Sequence, residues 1–271
     1  MKIIILLFIV LLNNAISQEL FPVSDAAANI SKNRKQVQIY INGNSEESSY
    51  YRLNYGLTGN ITLQFQQNFK YEKGSQSLGD IDLEGSYRFL SIDSKNEHLR
   101  SLMFSHLRIP LGLENKELNH HYYIKPITSL NRSESYVISL GNATTYLIGK
   151  LAINFDGGFY KPFGSNLIEY GNYFRGGLSL GYLVFPDSYK SYDDVNLNLY
   201  LETKYFNFAK NKMNNVVVND SGGERLDTYA SAQLIFNSEY ILEFGYIKSF
   251  SNLKMNLNNN SFFASFRFLF F

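Results

Sequence analysis

Along most of this chain apolar and polar residues alternate one for one, the period that sends successive side chains to opposite faces of a β-strand. In residues 195–204, Val195, Leu197, Leu199 and Leu201 share one face, while Asn196, Asn198, Tyr200, Glu202 and Lys204 share the other. Residues 80–89 set Ile81, Leu83, Tyr87 and Phe89 against Asp80, Asp82, Glu84 and Arg88. Residues 61–70 set Ile61, Leu63, Phe65 and Phe69 against Thr62, Gln64, Gln66 and Lys70. The same rhythm predicts about twelve strands, over 35–43, 49–57, 61–71, 78–90, 97–111, 133–146, 149–160, 173–184, 193–208, 223–236, 239–250 and 260–271.

The connections between these strands are sorted by length. Those at every second position are mostly tight: Thr58-Gly59-Asn60, the join near Leu147-Ile148, and Asn237-Ser238. The others include 112–132, 161–172, 209–222 and 251–259, which are long and polar. Residues 91–96 and 185–192, of medium length, fall on the tight side. An even number of strands, short turns at one end and long loops at the other are the signature of an outer-membrane barrel with both termini in the periplasm. The fold expected is therefore all-β: a transmembrane antiparallel up-and-down β-barrel.

The beginning of the chain supports export. Lys2 precedes the apolar run Ile3 to Leu12, and Ala15-Ile16-Ser17 offers the small residues of a signal-peptidase site. Residues 1–17 are expected to be a cleaved signal peptide, 18–34 a non-periodic segment lying in the periplasm or folding into the lower mouth, and 35–271 the barrel. No second long apolar stretch follows, so a membrane reading requires a closed barrel, the other structure that satisfies every backbone group in lipid. With 21 Tyr and 22 Phe the chain is rich in aromatic rings, which suits the girdles of a barrel. It has no cysteine, which excludes a lipid anchor on cysteine and a disulfide framework. A net charge of +1 gives no field that would favour nucleic acid.

The C-terminal strand places Phe262, Ala264, Phe266, Phe268 and Phe270 on one face and Ser265 and Arg267 on the other. As a free edge it would aggregate, whereas as a closing strand it has partners on both sides. Its aromatic ending resembles the C-terminal signal by which barrel-assembly machinery recognises outer-membrane proteins, so that machinery and outer-membrane lipid are the expected partners.

If the apolar face meets lipid, the polar face lines the lumen. The lumen candidates are Asp80, Asp82, Glu84, Arg88, Arg100, His106, Arg108, Lys150, Asp156, Arg175, Glu202, Lys204, Arg225, Asp227, Glu243 and Arg267. These charges either pair and plug the interior or line a wet passage. Eight strands are filled by their own side chains and sixteen leave an open channel, so twelve predict a constricted pore. The expected function is a narrow channel or passive transporter for small solutes. The alternatives are a closed structural or surface-interaction barrel, using outer loops 112–132 and 209–222, and a soluble secreted β-protein with its apolar faces turned inward.

Chemistry beyond passage is not indicated. His98 and His106 share a face but are about 26 Å apart along an extended strand, too far to share a metal. His120 and His121 fall in a predicted outer loop. The twelve-stranded outer-membrane phospholipases place His and Ser two apart on one strand; here Ser105-His106 puts them on opposite faces. No catalytic residue, metal or cofactor is expected.

Three stretches carry a resemblance. Glu19-Leu-Phe-Pro22 followed by Ala26-Ala-Ala-Asn29, together with Gly181-Tyr-Leu-Val-Phe-Pro186, resembles an uncharacterised barrel family of Bacteroidetes-type bacteria. Residues 79–89, Gly-Asp-Ile-Asp-Leu-Glu-Gly-Ser-Tyr-Arg-Phe, are similar to the hairpin of outer-membrane transporters grouped with phenol-degradation meta-pathway proteins. The resemblance runs through most of the mature chain and implies transport of small hydrophobic or metal-related solutes. Its motifs are made of strand and turn residues, so no functional residue is carried over.

Overall fold

The computed structural model describes residues 21–43, 49–72, 75–95, 97–111, 135–163, 168–187, 194–219, 221–252 and 260–270. The expected signal segment, the loop holding His120 and His121, and Phe271 lie outside the described residues. The strands are β1 (Lys35–Asn42), β2 (Ser49–Gly56), β3 (Ile61–Glu72), β4 (Ser75–Asp93), β5 (Glu97–Ile109), β6 (Val137–Ile148), β7 (Leu151–Pro162), β8 (Ile168–Glu169), β9 (Tyr173–Phe185), β10 (Asn196–Phe208), β11 (Lys212–Met213), β12 (Val216–Val217), β13 (Gly223–Phe236), β14 (Tyr240–Ser251) and β15 (Asn260–Phe270).

Twelve of them close into one antiparallel barrel in chain order, with β1 pairing β15. The closing register runs from Lys35 opposite Phe270 to Asn42 opposite Phe263. The aromatic C-terminal strand is thus paired on both sides, with β1 and β14, and presents no free edge. The twelve expected strands coincide with the twelve of the barrel to within a few residues. The structure adds β8, β11 and β12, which form a small separate sheet on the long loops. Asn214 and Asn215, with φ of 50° and 64°, turn β11 into β12, a conformation Asn tolerates.

Alternation cannot say which face points inward; the structure does. Ile41, Leu140, Phe155 and Phe262 face outward and are 58%, 58%, 58% and 71% exposed. Gln36, Asn154, Ser179, Glu202, Gln233 and Glu243 face inward and are buried. An apolar outside around a polar inside overturns the reading as a soluble protein with apolar faces turned inward, and it is the arrangement lipid requires. The 13 residues of β5, β9 and β10 extend about 40 Å at ~3.3 Å per residue. Tilted by ~45°, they cover roughly 30 Å, matching an apolar band of about 25 Å.

Two local features shift side chains that period-two counting would misplace. Between Arg88 and Leu90 the register slips by one residue against β5. Past this bulge Asp93 stands opposite His98 and its neighbour Ile92 is 56% exposed, so the facing parity of β4 is reversed near its C-terminal end. The turn from β6 to β7 falls at Gly149-Lys150, with Gly149 at φ 57°, two residues later than expected. Lys150 therefore belongs to a turn and not to the lumen wall: its ammonium reaches exposed Asp187 at 2.8 Å.

Candidate functional site

Residues 21–34 carry no strand period, so their backbone groups must find partners one at a time. They find them inside the barrel. The Val23 and Ser24 amides donate to the Glu202 carboxylate at 3.3 and 2.7 Å. The Ser24 and Ser179 hydroxyls are 2.6 Å apart. The Ala27 amide donates to Thr145 Oγ1 at 2.8 Å, and the Ile30 amide to Thr62 Oγ1 at 3.1 Å. In the opposite sense, Lys204 Nζ donates to the Val23 carbonyl at 2.6 Å, Asn154 Nδ2 to the Asp25 carbonyl at 3.2 Å, and Arg267 Nη2 to the Phe21 and Pro22 carbonyls at 2.9 and 3.1 Å. The segment thereby crosses the lumen, touching β15, β10, β9, β7, β6 and β3 before the Asn33 amide meets the Gly56 carbonyl at the end of β2. Of the two places expected for it, the periplasm and the lower mouth, these contacts fit the second: from residue 21 the segment lies inside the barrel, bonded mostly near the strand ends on the side of the termini.

Apolar contacts seat it as well. Phe21 meets Tyr200 edge-on at 5.3 Å and packs with Ala152. Ala27 is buried with Leu102, Phe104 and Ala143, and Val23 packs against the cluster of Tyr40, Tyr229, Ile247 and Phe263. Gly56 allows the close approach at the exit: a Cβ there would collide with the carbonyl oxygens of Ile30 and Ser31.

Asp25 is the charged centre of this segment and lies outside the strands. Its carboxylate pairs with Arg175, which also stands 3.3 Å from Asp156 on β7. Burial raises the Asp25 pKa, but Arg175, Lys204 and Arg52 together outweigh it and draw it down to about 2.

All the lumen candidates except Lys150 stand on the inward face, and most are paired. Asp82 accepts from Arg108 Nε at 2.7 Å and Asn68 Nδ2 at 2.8 Å, and lies 2.9 Å from His106 Nε2. Arg225 pairs Asp227 at 2.7 Å, and Arg267 pairs Glu243 at 2.9 Å, with Gln233 Nε2 donating to the same Glu243 at 2.8 Å. Asp80 is buried beside Arg108, 4.0 Å away, and Glu84 is half-buried. Near the turn from β4 to β5 Arg100 and His98 share Asp93 at 3.1 and 2.7 Å, while Arg88 donates to the Gly59 carbonyl at 2.9 Å. Among the described residues no three His, Asp or Glu side chains gather as metal ligands would.

Aromatic rings stand on both faces: Tyr87, Phe155, Phe159, Phe174 and Tyr182 face outward, and a second set clusters inside the outer half of the lumen. Tyr160 stacks on Tyr173 at 4.7 Å, which continues to Phe208 at 5.3 Å. The Arg175 guanidinium stands 5.5 Å over Tyr160, and that of Arg52 stands 4.8 Å over Tyr50 on the facing wall. Sequence reasoning missed Asp25, Arg52 and Asp93. Arg52 shares the parity of Asn54 and was legible; Asp25 has no period around it, and Asp93 lies past the bulge.

No family model matches the chain, and no curated protein is detectably similar to it. Solved structures do resemble it. An outer-membrane channel from Pseudomonas putida F1 superimposes with a TM-score of 0.64 at 16% identity, covering 93% of this chain and 100% of that one. The NanC porin superimposes with a TM-score of 0.51 at 11% identity, over 86% of this chain and 98% of its own. The fold is therefore that of outer-membrane β-barrels, here with a lumen crossed by residues 21–34.

Proposed function

We propose that the protein is a bacterial outer-membrane channel for small solutes, held closed in this conformation by residues 21–34. The observation that carries this reading is the segment itself, which spans the lumen and bonds to strands on opposite sides of it. A barrel of twelve strands is roughly 25 Å across between backbones, from a strand spacing of ~4.8 Å and a tilt of ~40°. Side chains alone fill an eight-stranded barrel; in the wider one a folded segment occupies the remaining space. The likeness to channels supports the reading, as does the resemblance to outer-membrane transporters.

A second reading, a permanently closed structural barrel, draws on the buried pairs of the wall. Glu202, Glu243 and Asp227 are at most 1% exposed, which is little for a water-filled pore. Single-channel recording in a planar bilayer separates the two. We expect the protein lacking residues 18–30 to show discrete, salt-dependent steps several-fold larger than those of the mature chain. Equal silence from both, with insertion verified, would favour the structural barrel.

A further inference from the structure

The outward face of β1–β5 carries a groove of about 610 Å³, lined by Leu53, Tyr55, Leu63, Leu83, Gly85 and Ser105 among others, with Lys35 at its foot. Its origin is legible in the register. Lys35 stands opposite Tyr55, Tyr55 opposite Leu63, Leu63 opposite Gly85, and Gly85 opposite Ser105. This is one continuous row across five strands, and its last two positions have almost no side chain. The neighbouring row is bulky throughout: Leu53 faces Phe65, Phe65 faces Leu83, and Leu83 faces Leu107. Two small residues beside a wall of large ones leave a furrow.

We propose that this furrow holds one acyl chain of an inner-leaflet phospholipid, with the lipid phosphate at Lys35. The proposal rests on the outer-membrane reading, which makes this face lipid-facing. Four strand spacings of ~4.8 Å give the row a length of about 19 Å, climbing with the strand tilt from the periplasmic rim toward mid-membrane. One leaflet of hydrocarbon is roughly 15 Å deep, so a chain entering at the rim is accommodated along its length. Lys35 is exposed at the very start of β1, level with Phe270 of β15, and has no acidic partner among the described residues. A cation at the interface beside an aromatic ring such as Tyr55 is the usual setting for a phosphate headgroup.

The test is native mass spectrometry of the full mature protein released from detergent micelles doped with phosphatidylglycerol. Wild type is expected to retain one phospholipid. Lys35→Gln should weaken retention about fivefold, the worth of one lysine near an anionic surface. Gly85→Leu with Ser105→Leu should abolish it by filling the furrow. Space exists for the first change, since a Cβ at Gly85 would meet only Leu63 Cδ2, at 3.9 Å. The heat-dependent shift of a folded barrel on electrophoresis verifies that each variant folds, and Lys35→Gln leaves the furrow itself intact. Retention unchanged in the filled variant would overturn the proposal, and so would palmitate held equally well by wild type and Lys35→Gln. A protein soluble without detergent would instead defeat the outer-membrane reading, so the two failures are distinguishable.

Discussion

Asp25 and Arg175 are the charged contact between the crossing segment and the wall. Losing one partner of a buried ion pair costs about 3–5 kcal/mol. Here the cost should be lower, about 1–3 kcal/mol for a lost charged hydrogen bond, because Arg175 keeps Asp156 and the Asp25 side chain is 29% exposed. Asp25→Asn should therefore raise the open fraction in single-channel recordings by roughly tenfold or more, since ~1.4 kcal/mol is one decade. Acid should act in the same direction. The folded Asp25 pKa, about 2, is depressed below the ordinary ~3.9 of an aspartate. Its contribution is thus complete above the ordinary value and is lost as pH falls through the folded one. Conductance of the wild type should stay low from pH 7 down to about 4 and rise only as pH approaches 2, with Asp25→Asn lacking that final rise. Opening at pH 5 to 6 would mean that another group holds the segment.

For the strands, the inversion of apolar and polar faces predicts where charge is tolerated. Leu201 lies near the middle of β10, faces outward and is 51% exposed. Leu201→Arg should destabilise the inserted barrel by about 2–4 kcal/mol, the cost of arginine at the bilayer midplane, read from denaturant unfolding in vesicles. A null effect there would place Leu201 outside the hydrocarbon. The position of Leu201 on one face of its strand was plain from sequence, because Val195, Leu197 and Leu199 repeat the pattern at every second residue. Its outward direction was not, since alternation is symmetric. The strand ends were legible wherever a turn is short and chemically marked, as at Asn237 and Ser238, both at positive φ. They were less so at Gly149-Lys150, where the apolar Leu147 and Ile148 mask the boundary. Local pattern also failed at the bulge that turns Asp93 inward, because one extra residue reverses every parity beyond it.

The lumen as a whole is closed by contacts that no periodicity reports, made between residues as far apart in sequence as Phe21 and Arg267. Whether the closure is a gate or a permanent filling is a question about motion of the segment relative to the wall, and the chain offers a clean way to ask it. Ser24 and Ser179 bring their hydroxyls to 2.6 Å, and the protein has no cysteine of its own. Cysteines at both positions would be the only thiols present, and a disulfide needs Cβ atoms about 3.5–4.5 Å apart, which touching serine hydroxyls allow. The oxidised double variant should be silent in a planar bilayer. Reduction should restore whatever conductance wild type shows, and the variant lacking residues 18–30 should exceed both. If oxidation leaves wild-type conductance unchanged, ions pass beside a fixed segment, and motion at the Ser24–Ser179 contact is not what opens the pore. If neither state conducts while the deletion does, the segment is a plug that ionic current alone does not move, and its release depends on something the bilayer lacks.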